Sequence, residues 1–134
     1  MSGLAAILAD HVDRGVYRWH AAFTPEEVGH AVERAGWRFA HVDGWRHQTR
    51  GEFLAAVGEA LSFPDHYGQN LDALHDCLRD LPGPTVLLWD GWGALARDDG
   101  PGFAAVRSVL AEHTAVVTTL LRGDGPEVDV PSLD

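Results

Sequence analysis

Between Pro84 and Asp90 the chain reads Thr85-Val86-Leu87-Leu88-Trp89, a run with no charge and no alternation of apolar with polar positions. Successive side chains of a strand point to opposite faces, so this is the pattern of a strand covered on both sides. An open sheet with one wet face is thereby excluded. Helical patterns precede and follow the run, and strands separated by helices are joined by crossovers, which gives a small parallel sheet layered with helices.

The flanking segments carry their own punctuation. Leu4, Ile7, Leu8, His11 and Val12 follow a helical spacing that stops at Gly15, and Gly15 to His20 reads as a strand or an extended run. Thr24, Pro25 and Glu27 start a helix with a capping box, Phe23 and Val28 close it as a staple, and Gly36 ends it. Trp37 to Asp43 is expected to be a strand, and a second capping box of Thr49 and Glu52 opens the next helix, which stops before Pro64. After the loop from Phe63 to Gln69, a further helix begins near Asn70. Asp90 to Arg97 reads as a short helical turn, Asp98 to Gly102 as a loop, and Phe103, Val106, Val109 and Leu110 as the apolar stripe of another helix. Ala115 to Leu121 is a β-branched final strand, and Arg122 to Asp134 an acidic stretch rich in proline and glycine, expected to be a loose tail.

At 134 residues, this is one domain with additions rather than two cores. Cys77 is the single cysteine, so no disulfide is available within the chain, and a reducing cytoplasm suits it. No run approaches about 18 apolar residues free of charge, which argues against a membrane span, and the short Leu4 to Leu8 run does not make a signal peptide. Twenty acids against ten arginines, a formal charge of −10, would repel nucleic acid at long range and favour a basic protein partner.

The acids are concentrated where they matter. On the helix from Asn70, Leu71, Leu74, Cys77 and Leu78 share one face, while Asp72, Asp76 and Asp80 recur every fourth residue on the other. Neighbours in such a row stand about 6 Å apart and repel by about 0.7 kcal/mol per pair even in water. Asp72 gains from the helix dipole in the first turn, but Asp76 and Asp80 approach the unfavourable end, with only Arg79 to relieve them. A row that accepts this repulsion suits a positively charged partner.

The segment Phe63-Pro64-Asp65-His66-Tyr67-Gly68-Gln69-Asn70-Leu71-Asp72-Ala73-Leu74-His75-Asp76-Cys77-Leu78 resembles the signature of the barstar family, intracellular protein inhibitors of ribonucleases. Tyr67-Gly68, Asn70 to Leu74 and Asp76-Cys77-Leu78 match it position for position, and Thr85 to Trp89 matches the family's next strand. The resemblance implies an α/β, barstar-like fold with a small three-stranded parallel sheet over residues 37–122. It leaves residues 1–36 as an N-terminal helical extension, adding to the sheet edge or binding something separate, and residues 123–134 as the flexible acidic tail.

It also implies a function: binding and occluding the active site of a basic, secreted microbial ribonuclease, as an immunity protein that is cytoplasmic, monomeric when free, without catalysis, metal or cofactor, and without nucleic-acid or membrane contact. Carried over by residue, Asp76 is the main phosphate mimic, facing arginine and histidine groups of the enzyme, and Asp72 pairs with a further arginine. Asn70 and Gly68 shape the loop, His66, Tyr67 and His75 supply contact area, Leu71 and Asp80 complete the face, and Glu112 is the nearest candidate for an acid on the helix before the last strand. The family commonly has an aromatic residue where His66 stands, and barstar has tryptophan where His75 stands, so the stacking surface differs and the cognate enzyme need not be barnase. Arg79 adds a positive charge where a basic partner would be repelled.

Two chemical readings compete with this one. Asp72, His75 and Asp76, with His66 as a fourth group, have a spacing that could ligate a metal for hydrolysis. Cys77 could act as a nucleophile with His75 or His113 as base, although its place on the apolar face favours a structural thiol. A barstar-fold interaction module with a non-nuclease partner is the remaining alternative.

Overall fold

The computed structural model describes residues 2–133, and in it the run from Thr85 is the second strand of a five-stranded sheet. The strands are β1 (Val16–Trp19), β2 (Arg38–Asp43), β3 (Thr85–Asp90), β4 (Val117–Arg122) and β5 (Ser132–Leu133), ordered β2-β3-β4-β1-β5, with every pairing parallel. The helices are α1 (Ser2–Leu8), α2 (Pro25–Arg34), α3 (Arg50–Ala60), α4 (Leu71–Arg79), α5 (Gly93–Asp98) and α6 (Gly100–Ala111).

Five strands correct the expected three. β1 comes from the N-terminal 36 residues and pairs with β4 from Val16 opposite Thr119 to Trp19 opposite Arg122. β5 comes from the acidic C-terminal stretch and places Leu133 beside Trp19, buried. β1 lies within the Gly15 to His20 run expected to be a strand or extended, and what its four residues do not show is their place in the sheet; β5, two residues after Pro131, is too short to show a strand period. Their order comes from the partners they lie against. Two smaller differences also have local causes. Asp10 adopts φ 58, so α1 ends at Leu8 and leaves out His11 and Val12. The Asp99 carboxylate accepts the Gly102 N–H at 2.9 Å, so α6 begins inside the expected loop.

The sheet is the middle of three layers. Along β3, Val86 and Leu88 enter one core with Leu4, Ile7, Trp19, Val28, Val32, Leu120 and Leu133, beneath α1 and α2. Leu87 and Trp89 enter the other core, with Phe53, Val57, Leu74, Leu78, Phe103, Val106 and Leu110 from α3, α4 and α6. Both capping boxes form as the sequence predicts, on Thr24 with Glu27 and on Thr49 with Glu52.

Across the C-terminal ends of the strands, Arg122 of β4 grips Asp90 of β3 through Nε at 2.6 Å and Nη2 at 3.0 Å. Its Nη1 donates to the Ala21 and Phe23 carbonyls in the loop after β1, at 3.1 and 2.6 Å. His41 Nε2 of β2 lies 2.8 Å from Asp90 Oδ2, the oxygen that also accepts from Arg122 Nη2. Burial alone would raise the Asp90 pKa, but the hydrogen bonds and charges of His41 and Arg122 outweigh it and hold the carboxyl below its ordinary range. This clasp ties the N-terminal segment to the centre of the sheet.

Candidate partner-binding face

The loop from Ser62 to Gln69 is bounded by two residues in left-handed conformation, Ser62 at φ 57 and Gln69 at φ 52. Between them Tyr67 drives its ring inward. Its hydroxyl donates to the Leu54 carbonyl at 2.9 Å, and its ring meets Phe63 edge-on at 4.9 Å between centroids. Burial, and secondarily the charge of Cys77, pushes the phenol up to about 12. The ring lies flat on α3 because Gly58 has no side chain: a Cβ there would stand 2.5 Å from Tyr67 Cε2. Gly58 is thus part of the site's foundation that the sequence reading missed; its only signal was a small residue on the buried side of α3.

Asn70 then starts α4. Its Oδ1 accepts the Ala73 N–H at 2.8 Å, and Leu74 and Leu78 are fully buried beneath the helix. Asp72 and Asp76 are exposed on its outer side, and Asp80 is exposed as the C-cap residue. These rigidly held carboxylates form one outward acidic row, although Asp76 is not entirely free, since Arg79 Nη2 donates to its Oδ1 at 2.7 Å.

Around α4 the predicted residues fall into three groups. Asp76, Asp80, His66 and Tyr67 line a cleft of about 320 Å³ with Arg38, Pro64 and Cys77. Arg38, whose Nη2 donates to the Leu61 carbonyl at 3.4 Å, was not foreseen there, because it belongs to β2 and only the sheet brings it beneath the loop. Asp72, Asn70 and half-buried Leu71 line a second groove with Arg50 and Gln69. His75 stands apart from both with the end of α6: its Nδ1 is 2.9 Å from His113 Nε2 and its Nε2 is 3.5 Å from Glu112 Oε2. Glu112 therefore joins α4 through His75, and His113 is the partner that the sequence reading did not include in the face. Exposed Gly68 lies between Tyr67 and Asn70, at the turn into the helix.

The competing chemistries find no support in this geometry. Among the described residues no three His, Cys, Asp or Glu side chains are placed to hold a metal ion, so Asp72, His75 and Asp76 do not form a ligand set. Cys77 is half-buried in the cleft wall, and burial, then Asp80 and Asp76, raise its thiol pKa, opposite to what a nucleophile needs. His75 and His113 are engaged with each other instead. No helix among the described residues is long and apolar enough to cross a membrane.

The family described as Barstar (barnase inhibitor) matches residues 37–125, two thirds of the chain, including the loop, α4 and three of the strands. No curated protein matches. Among solved structures, the chain is similar to the Aeropyrum pernix ORC2 protein, at 15% identity and TM-score 0.62 over 92% of this chain and 40% of that one. It is also similar to a Walker-type ATPase of Pyrococcus abyssi (11% identity, TM-score 0.56, 91% and 44% of the two chains). Drosophila ORC bound to DNA is a further neighbour (18%, TM-score 0.54, 85% and 33%). The chain spans less than half of each, and the likeness is one of fold. The turn after β1 reads His20-Ala21-Ala22-Phe23-Thr24, and its Ala21 and Phe23 carbonyls accept from Arg122.

Proposed function

The chain belongs to the barstar family, and on that premise we propose that it is a protein inhibitor whose loop 62–70 and α4 bind and occlude the active site of a basic microbial ribonuclease. The observation that carries this reading is the exposed row of Asp72, Asp76 and Asp80 on a helix fixed from below by Leu74 and Leu78 and capped by Asn70. Carboxylates so held meet arginine forks with little further ordering cost, and they can take the places of substrate phosphates. The formal charge of −10 steers the chain toward a cationic enzyme. In this reading Asp76 exchanges its internal partner Arg79 for groups of the enzyme, Asp72 pairs with a separate arginine, and His66, Tyr67, His75 and Glu112 surround them. The protein acts by occlusion alone, as a monomer in the cytoplasm, and needs no cofactor.

The test is affinity capture on the immobilised chain from source lysate and secreted fraction, followed by an RNA-cleavage assay of what is retained. A basic ribonuclease silenced by stoichiometric amounts of the chain is expected. Retention of no nuclease, or of one that stays active in the complex, would sink the proposal.

A further inference from the structure

Glu112, His75 and His113 form a line of titratable groups beside the acidic row. His75 projects from α4 toward the end of α6, whereas Glu112 and His113 follow α6, so the line bridges two elements. The 2.9 Å contact between His75 Nδ1 and His113 Nε2 needs a proton on one nitrogen and a lone pair on the other. Both rings cannot become cations without breaking it. Burial first, then the charges of His75 and Arg79, hold His113 below the ordinary imidazole range, with Glu112 alone pulling the other way. His75 has its second nitrogen turned to the Glu112 carboxylate, 3.5 Å away, and so is the ring with a counter-ion in place.

Resting on the docking role given above, we propose that Glu112, His75 and His113 form a one-proton switch that sets the charge of the partner-binding face. With His75 neutral, Glu112 stands as an additional acid toward a basic partner. With His75 protonated, Glu112 is neutralised and a cation stands one helical turn along α4 from Asp72, adding to Arg79. The sign follows: acid weakens attraction to a cationic enzyme, and association with one expels the proton.

The test starts with the free full-length chain, by following the imidazole proton signals in an NMR pH titration of the native protein and the His113→Gln and His75→Gln variants. Expected in the native chain is uptake of one proton shared by the pair, with the His75 and His113 signals moving on a common curve and a second proton only in more acid solution. In His113→Gln, the His75 signal should move on a curve of its own. Two rings that titrate independently in the native chain overturn the switch. Barnase then serves as a cationic probe: native affinity should fall about tenfold between about pH 7.5 and about pH 5, and His75→Gln should lose most of that dependence. Equal affinity at both pH values, or the same dependence in His75→Gln, also overturns it. Failure to bind barnase at either pH, with the shared titration present, counts against the docking role toward that enzyme and supports the one-proton coupling of His75 and His113.

Discussion

Tyr67 shows how a single side chain fixes the loop that leads into α4. Its hydroxyl bond to Leu54 and its packing over Gly58 fix the loop from below, so its ionisation and the loop's order are linked. A phenol raised to about 12 from an ordinary 10 stabilises the fold fully below the ordinary value. That contribution is lost as pH rises through the folded value. Tyrosinate absorbance should therefore show Tyr67 ionising only together with loss of structure; Tyr67 ionising near its ordinary pKa without unfolding would show the packing to be wrong. Gly58→Ala forces the Tyr67 ring or α3 to move and should cost about 1–3 kcal/mol in a denaturant melt. A variant as stable as the native chain would mean that the ring has room it does not have here. Tyr67 itself was legible in the sequence as part of the motif, but Gly58 was not, because the need for a missing Cβ depends on which ring lands on it.

The elements that the sequence announced most clearly are those with local signals. The capping boxes at Thr24 and Thr49, the helix start near Asn70 and the double-sided apolar run of β3 all depend on residues a few positions apart, and all form as read. β1 and β5 were less visible, since each is defined by the strand beside it and not by its own pattern. The three sectors around α4 were hidden for the same reason: periodicity places Asp72, His75 and Asp76 on a helix, but only the packing of α6 and β2 decides that His75 meets His113 and Asp76 overlooks Arg38. For α4 as an element the cap is the sensitive point. Asn70→Ala removes the acceptor of the Ala73 N–H and should lower stability by about 1 kcal/mol. It should also weaken partner binding beyond that of a surface control, because the acidic row loses its fixed direction. An Asn70→Ala chain unchanged in both melting and binding would remove the cap from the account.

At the scale of the molecule, the N-terminal segment is built into the sheet. Leu4, Ile7, Trp19, Val28 and Val32 form one core with Val86, Leu88 and Leu120, and Arg122 binds the loop that follows β1. A chain starting at Trp37 would expose that apolar face and the β4 edge and leave β5 without its neighbour. We expect it to lack a cooperative thermal transition by circular dichroism; a sharp melt like that of the full chain would show that residues 37–134 suffice. The proposed docking face on α4 lies in the opposite layer, across the sheet from α1 and α2, and the central claim rests on Asp76. Its pair with Arg79 is largely exposed, at 64% and 66% of the side chains, so Asp76→Ala should change stability by no more than about 0.5 kcal/mol. Inhibition is a different matter. In a calorimetric titration of the captured basic ribonuclease, the native chain should bind stoichiometrically, and Asp76→Ala should lose at least about 2 kcal/mol, a hot-spot threshold drawn from interfaces in general, barstar's among them. An Asp76→Ala chain that binds the ribonuclease as tightly as the native one would contradict the claim that α4 carries the inhibitory face.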